Sequence, residues 1–412
     1  MANKTPWEVE GRWFTSPWNF FDASREGLAF PERVIFHDIT LRDGEQQAGI
    51  ALTRDDKVAI AHRLAAAGVD RIEAGMPIVS PQDEAAIKDI VQADLGPKIY
   101  AFARCMVDDI RKAQECGVTG VVLEIPSSSH IIDRAYGWEV DRAIKLSIEA
   151  TLAAKEAGLD TVFFTIDSSR ADFDWYLDLV ERVGSEGHMD ALSLVDTFGG
   201  VTPQTIPGWV EKVRERLPGV RLEAHFHDDF GLAVANSIAA LAAGAEVVHT
   251  TVSGIGERAG NTPMEELALA LRMLYDADHN LVTEEFYGLS RLVRERTGHT
   301  IPSNRAAVGE RLFEVESGII AGWFERCIDS KPEELFPYHW NVVGQPPARI
   351  VYGKGSGLPS MTLAMKALGL SADDEQLRDL LMAVKQRALA TKSLLPFEEV
   401  TALASEHLKE SG

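Results

Sequence analysis

From residue 33 the chain alternates short, β-branched apolar runs with longer stretches whose apolar residues recur at helical spacing, and it does so eight times. The runs are Val34–Ile39, Arg71–Ala74, Ile99–Phe102, Val121–Glu124, Thr161–Ile166, Ala191–Val195, Arg221–His227 and Val247–Val252. Between them lie amphipathic stretches such as Arg54–Ala67, Glu84–Ala93, Asp141–Ala157 and Pro203–Arg216, the first carrying Val58, Ile60, Ala61, Leu64 and Ala65 at helical intervals. Strands apolar almost end to end, each followed by a helix, imply a parallel sheet covered on its faces. Eight such units in about 240 residues match a closed (β/α)8 TIM barrel. An open doubly wound sheet would want a glycine-rich phosphate loop after the first strand, and Asp38-Ile39-Thr40-Leu41-Arg42-Asp43 is not one.

The alternation stops near residue 280. We therefore expect an N-terminal extension over residues 1–30 with Trp7, Trp13 and Trp18, a catalytic barrel over 31–279, and a mainly helical accessory region over 280–412. Helices are expected there over Glu284–Thr297, Pro359–Ala367 and Glu375–Leu389, with a last one from Pro396, and a Pro- and Gly-rich loop, Pro337–Gly357, divides the region. Accessory regions of this kind often carry a dimer contact, so a homodimer is the expected state.

Composition narrows the class. A 45% hydrophobic, 25% charged chain without an apolar run near the roughly 20 residues of a membrane span reads as a soluble globular protein. Three cysteines in 412 residues make no disulfide framework, and the polar N-terminus has no signal-peptide core, so a cytoplasmic location is expected. A net charge of −22 argues against nucleic acid and anionic lipid as partners. An anionic substrate would need arginines placed close to it.

Polar residues at the C-terminal ends of barrel strands get the functional reading first. Strand one leads into Arg42 and Asp43, and strand seven reads Glu223-Ala224-His225-Phe226-His227. Residues two apart on a strand point the same way, so His225 and His227 project side by side. The loop after strand eight offers Asn261. Strands seven, eight and one are neighbours in a closed barrel, so Asp43, His225, His227 and Asn261 can converge as a mixed N/O ligand set for Mg2+, Mn2+, Zn2+ or Co2+. Such a metal would polarise the oxygens of a 2-oxo or 2-hydroxy acid, and Arg42 could steady a developing enolate or alkoxide. Glu73 and Thr197 also sit at strand ends, Arg104 follows strand three, and Ser127 to His130 follow strand four. Thr197 could bind a substrate carboxylate.

TLRDGEQ (40–46), EAGMPIVSPQD (73–83), HFHDDFGLAVANS (225–237) and GIGERAGNTPMEE (254–266) together resemble the DRE-TIM metallolyase superfamily. Within it the chain is most similar to the Claisen-condensing branch of 2-isopropylmalate, homocitrate and citramalate synthases. Hydroxymethylglutaryl-CoA lyases instead place a cysteine in the strand-eight loop. The resemblance implies metal ligands Asp43, His225 and His227 with Asn261 nearby, Arg42 as electrophilic stabiliser, and Thr197 on the 2-oxo-acid carboxylate. It also implies acyl-CoA as co-substrate, deprotonated next to its carbonyl before it attacks the 2-oxo acid.

The chain departs from that branch in places. Where the synthases carry S-x-E-D after strand five, it reads Phe164-Thr165-Ile166-Asp167, keeping Asp167 and Arg170, which stay in the candidate catalytic and substrate-binding sets with Glu73, Arg104 and Ser127. Two histidines of the synthase tail are replaced by Val315 and Ile320, and Glu314 or Glu316 could substitute as base. The longer synthases append an amino-acid-sensing domain for which residues 280–412 leave no room, so feedback control of that kind is not expected. Three readings stay open: an acyl-CoA/2-oxo-acid synthase, a metal-dependent lyase or aldolase releasing a 2-oxo acid such as pyruvate, and a catalytically silent sensor.

Overall fold

In the computed structural model, which describes residues 5–410, eight parallel strands close into a barrel. They are β1 Ile35–Asp38, β2 Arg71–Glu73, β3 Lys98–Arg104, β4 Gly120–Pro126, β5 Asp160–Ile166, β6 Ala191–Asp196, β7 Arg221–Phe226 and β8 Val247–Thr250. Sequence neighbours pair throughout, and β8 returns to β1 with His249 opposite His37, which closes the sheet. After the strands, in turn, come α1 Arg54–Ala66, α2 Pro81–Gln92, α3 Val107–Glu115, α4 Val140–Glu156, α5 Phe173–Glu186, α6 Ile206–Arg216, α7 Ala233–Ala242 and α8 Met264–Leu274. The (β/α)8 reading therefore holds.

Local chemistry sets the helix ends. Thr53 caps α1 by accepting from Asp56 N, while the Asp56 carboxylate accepts from Thr53 N, a reciprocal capping box. α2 begins three residues before the expected Glu84, because Ser80 accepts from Asp83 N and Pro81 fits the first turn. α6 begins at Ile206 rather than Pro203, with Pro207 in its first turn.

The chain divides into two compact units. One runs from Trp18 to Ile301 and holds the barrel together with α9, Phe286–Thr297. The other joins the residues up to Pro17 to those from Pro302 onward. The first four residues of the expected N-terminal extension lie outside the described residues. In the second unit, Glu8–Val9 and Trp13–Phe14 form a small antiparallel pair, and Phe14 N donates to Pro337 O at 3.1 Å. Its helices are α10 Gly318–Cys327, α11 Leu358–Leu368, α12 Asp374–Thr391 and α13 Phe397–Glu410, with Tyr352, Met361, Leu380, Val384, Leu395 and Val400 in its core. α10 was not anticipated: it starts at a glycine, carries β-branched Ile319 and Ile320 early, and buries only Ala321, so periodicity had little to register. Among the described residues no helix is long and apolar enough to cross a membrane.

The barrel interior is layered. Tyr100, Phe102, Val122, Val162, Phe164, Ala191 and Val195 form an apolar cluster. Beside it lies a polar layer of His37, Asp38, Arg71, Glu73, Glu223, His225 and His249, all buried. Burial pushes the Asp38 carboxyl up to about 8, against hydrogen bonds from Thr40 that lower it. The unfolded carboxyl loses its proton near its ordinary value of 3.8, so stability is present below that and falls as pH rises toward about 8. Asp38→Asn, which cannot ionise, should gain stability relative to the native chain across this window, with the gap closing in acid. Thermal melts at the two ends of the window check it; parallel curves would show that Asp38 is ionised in the fold.

Candidate metal centre

At the end of β1 the chain turns tightly: Arg42 N, Asp43 N and Gly44 N all donate to Ile39 O. This carries Arg42 and Asp43 onto the C-terminal mouth of the barrel. His225 lies on β7, and His227, one residue past its end, bridges to Asn261. The loop holding Asn261 depends on its glycines. A Cβ on Gly256 would come within 2.2 Å of Asn261 Nδ2 and 3.1 Å of Asp43 Oδ1, and one on Gly260 within 1.9 Å of Gly254 O. Only bare backbone fits so close to the donor atoms.

Asp43, His225 and His227 offer donor atoms that all lie within 4.8 Å of one another, and all three side chains are buried. His225 Nε2 is 3.3 Å from His227 Nε2 and 3.8 Å from Asp43 Oδ2. His227 Nδ1 donates to Gly260 O at 3.1 Å, so its Nε2 presents a lone pair. Asn261 Nδ2 donates to Asp43 Oδ1 at 2.6 Å, while Asn261 Oδ1 is buried without a hydrogen-bond partner among the described residues. Burial holds both imidazoles below their ordinary value, His225 strongly, with His227 and His249 beside it adding to the effect. Neutral imidazoles, a carboxylate and an unpartnered amide oxygen converge here, a donor set that fits a divalent cation.

Arg42 lies beside this group. Its Nη1 donates to Asp43 Oδ2 at 2.7 Å, its Nε to Glu73 Oε1, and its guanidinium stacks 3.9 Å from the Phe102 ring centroid. Burial alone would raise the Glu73 carboxyl, but Arg42 and then His37 hold it at about 2. Arg42 Nη2 is buried and has no hydrogen-bond partner among the described residues.

A second group forms around Asp167. This residue adopts a left-handed backbone, φ +63°, uncommon outside glycine. Its carboxylate accepts from Arg170 Nε at 2.6 Å and Ser128 Oγ at 2.6 Å, and lies 3.1 Å from His130 Nε2. Asp167 N donates to Thr197 Oγ1 at 2.8 Å. Of the expected site residues, the structure thus joins Arg42, Glu73, Asp43, His225, His227 and Asn261 in one group and Asp167, Arg170 and Thr197 in another. Ser127 Oγ is spent on Ile166 O, and Arg104 is clamped to the buried Asp109 by two hydrogen bonds of 2.8 and 2.9 Å.

The sequence reading did not single out Phe102 and Phe164, which line Arg42, or Glu223 and His249. Glu223 was legible in principle, because Glu223, His225 and His227 alternate along one strand and so share a face.

The HMGL-like family model matches residues 33–293. A homocitrate synthase of Methanothermobacter thermautotrophicus is 34% identical over 375 residues, 91% of this chain and 93% of the relative. A protein of Archaeoglobus fulgidus named as an (R)-citramalate synthase is 40% identical over 350 residues, 85% of this chain and 70% of the relative. Among solved structures, the HMG-CoA lyase of Bacillus subtilis superposes with a TM-score of 0.60 at 21% identity, covering 67% of this chain and 97% of the lyase, a likeness of fold. Matched by the family model over its barrel and by homologues over most of its length, the chain belongs to the HMGL-like family.

Proposed function

We propose that this protein is a metal-dependent acyltransferase that condenses an acyl-CoA with a 2-oxo acid. One observation carries the reading: the unpartnered Nη2 of buried Arg42 stands beside the Asp43–His225–His227–Asn261 group. The relatives named as homocitrate and citramalate synthases support the direction of the chemistry. When bound, the metal supplies Lewis-acid polarisation of the 2-oxo acid.

The chain's own residues do the rest. Glu73 and Asp43 hold Arg42 by two edges, leaving Nη2 to donate to the oxygen that gains charge as the new carbon–carbon bond forms. Thr197 Oγ1 accepts from Asp167 N, so its hydroxyl proton is directed elsewhere, to the substrate carboxylate. Ser128 Oγ gives its proton to Asp167, so the hydrogen in its 3.5 Å contact with His130 lies on His130 Nε2, which leaves His130 Nδ1 with the lone pair that takes the proton next to the thioester carbonyl. The protein works in the cytoplasm as a homodimer in this reading.

The test is a thiol-release assay with Mg2+ or Mn2+, setting acetyl-CoA and longer acyl-CoAs against a panel of 2-oxo acids. Water then hydrolyses the thioester of the condensed product to a carboxylate and free CoA, so CoA release that requires both substrates and the metal is expected, and the best 2-oxo acid names the specificity. Ile166, at the position of the synthase glutamate and packed against the apolar cluster, favours a second reading, the lyase direction. Silence across the panel with metal bound, and 2-oxo-acid release from branched hydroxy acids, would replace the first reading with that one.

A further inference from the structure

Behind the candidate metal ligands lies a second buried group, His37, Glu223 and His249, with ligand-type atoms within 4.8 Å of one another. We propose that Glu223 and His249 are positioning residues, a hydrogen-bonded relay that holds His225 with its Nε2 lone pair aimed at the cation site.

The protons can be followed one bond at a time. Glu223 Oε1 receives Arg71 Nη1 at 2.8 Å and Arg221 Nε at 3.2 Å, so the group is a carboxylate and can only accept. Its other oxygen, Oε2, lies 2.9 Å from His249 Nε2, which must therefore carry a hydrogen. In the neutral tautomer that carries this hydrogen, the His249 lone pair is on Nδ1. That atom is 3.3 Å from His225 Nδ1, and two lone pairs do not face each other at that distance, so His225 Nδ1 holds the proton. His225 Nε2 is left with its lone pair, 3.3 Å from the lone pair of His227 Nε2 and 3.8 Å from Asp43 Oδ2, a crowding that a cation bound to all three would relieve and that the relay therefore requires. The order carboxylate, imidazole, imidazole, cation extends by one ring the usual arrangement in which a carboxylate orients a metal-binding histidine.

Packing fixes the relay in place. Glu223 and His249 are at most 1% exposed, and the Phe164 ring lies 4.8 Å from the His225 ring at 77°. The His37 ring lies 4.6 Å from the His249 ring. His37, whose ring nitrogens have no hydrogen-bond partner among the described residues although Nε2 lies 3.6 Å from Glu73 Oε2, raises the alternative of a second cation held by His37, Glu223 and His249. Arg71 and Arg221 already neutralise Glu223, and a cation would have to displace the His249 proton, so the geometry favours the relay.

The relay rests on the reading of Asp43, His225 and His227 as cation ligands, and Mn2+ titration of the full chain, by calorimetry and by the loss of its free-ion EPR signal, tests both. The native chain should take one Mn2+. His249→Phe keeps the ring but removes the acceptor, and should raise the Mn2+ dissociation constant about 10–100-fold. His249→Gln can accept from His225 and donate to Glu223 at once, and should recover most of the affinity. Unchanged binding in His249→Phe, or two Mn2+ per native chain, would overturn the relay. If His249→Phe does not fold, long-range 1H–15N spectra of the native chain with 15N-labelled histidine decide: His225 protonated on Nδ1 supports the relay, and protonation on Nε2 overturns it. Absence of Mn2+ binding by the native chain would remove the cation site itself. Tight binding without CoA release would remove only the synthase reading.

Discussion

Replacing His225 or His227 with alanine is expected to abolish both metal binding and turnover while leaving the barrel folded. Each histidine supplies one of only two nitrogen donors in the group, the others being the Asp43 carboxylate and the Asn261 amide. Loss of an outer partner of a metal ligand costs roughly 10–100-fold, and loss of the ligand itself should exceed that. The fold should survive because both imidazoles are neutral, so alanine strands no charge. Circular dichroism separates the two effects: a native spectrum with no bound Mn2+ and no CoA release is the expected triple result. Retained activity in either variant would sink the metal-centre reading.

Glu73→Ala should produce the second large effect, this time on stability as well as rate. Glu73 is fully buried and paired with Arg42, which is itself buried. Removing one partner of a buried pair typically costs about 3–5 kcal/mol, and Arg42 is then left with Asp43, 2.7 Å from its Nη1, as its remaining ion-pair partner. For a domain of this size that lowers the melting temperature by roughly 6–20 °C. The pH dependence has a definite sign. The Glu73 carboxyl is held at about 2 in the fold against an ordinary 4.5, so its contribution is present above 4.5 and disappears as pH falls toward 2. The native chain and the variant should therefore converge in acid and separate at neutral pH. A constant gap would mean that Glu73 acts by shape alone. Turnover should fall too, because Arg42 loses the anchor on its Nε and can rotate away from the mouth.

The contrast between these residues and the rest of the site shows what a linear pattern can reveal. The eight strands were legible because near-continuous apolar runs punctuated by helices admit few arrangements, and the observed strands match the expected ones to within a few residues. Asp43, His225, His227 and Asn261 were legible because barrel topology brings strands seven, eight and one together whatever the side chains do. The relay was not, since His249 lies in an apolar strand where a lone histidine carries no signal until Glu223 and His225 are seen at hydrogen-bonding distance. Arg104 shows the opposite failure. Its position at a strand end suggested substrate, but Asp109 five residues on takes two of its nitrogens, a partner that strand-end reasoning does not weigh. Asp167 was legible as a residue but not as a hub, because its left-handed backbone and the Arg170, Ser128 and His130 contacts are set by the turn after β5.

The second compact unit is built from residues up to Pro17 and from Pro302 onward, which has a consequence for synthesis on the ribosome. The Glu8–Val9 and Trp13–Phe14 pair emerges first, yet the Pro337 and Tyr338 backbone it bonds to is made only after the whole barrel. At about 5–20 residues per second the early segment waits on the order of half a minute, with Trp13 and Phe14 uncovered, for the partner that completes its sheet. Trimming either flank of the barrel would therefore damage the same unit, and a deletion ahead of the barrel would be felt in the segment made after it.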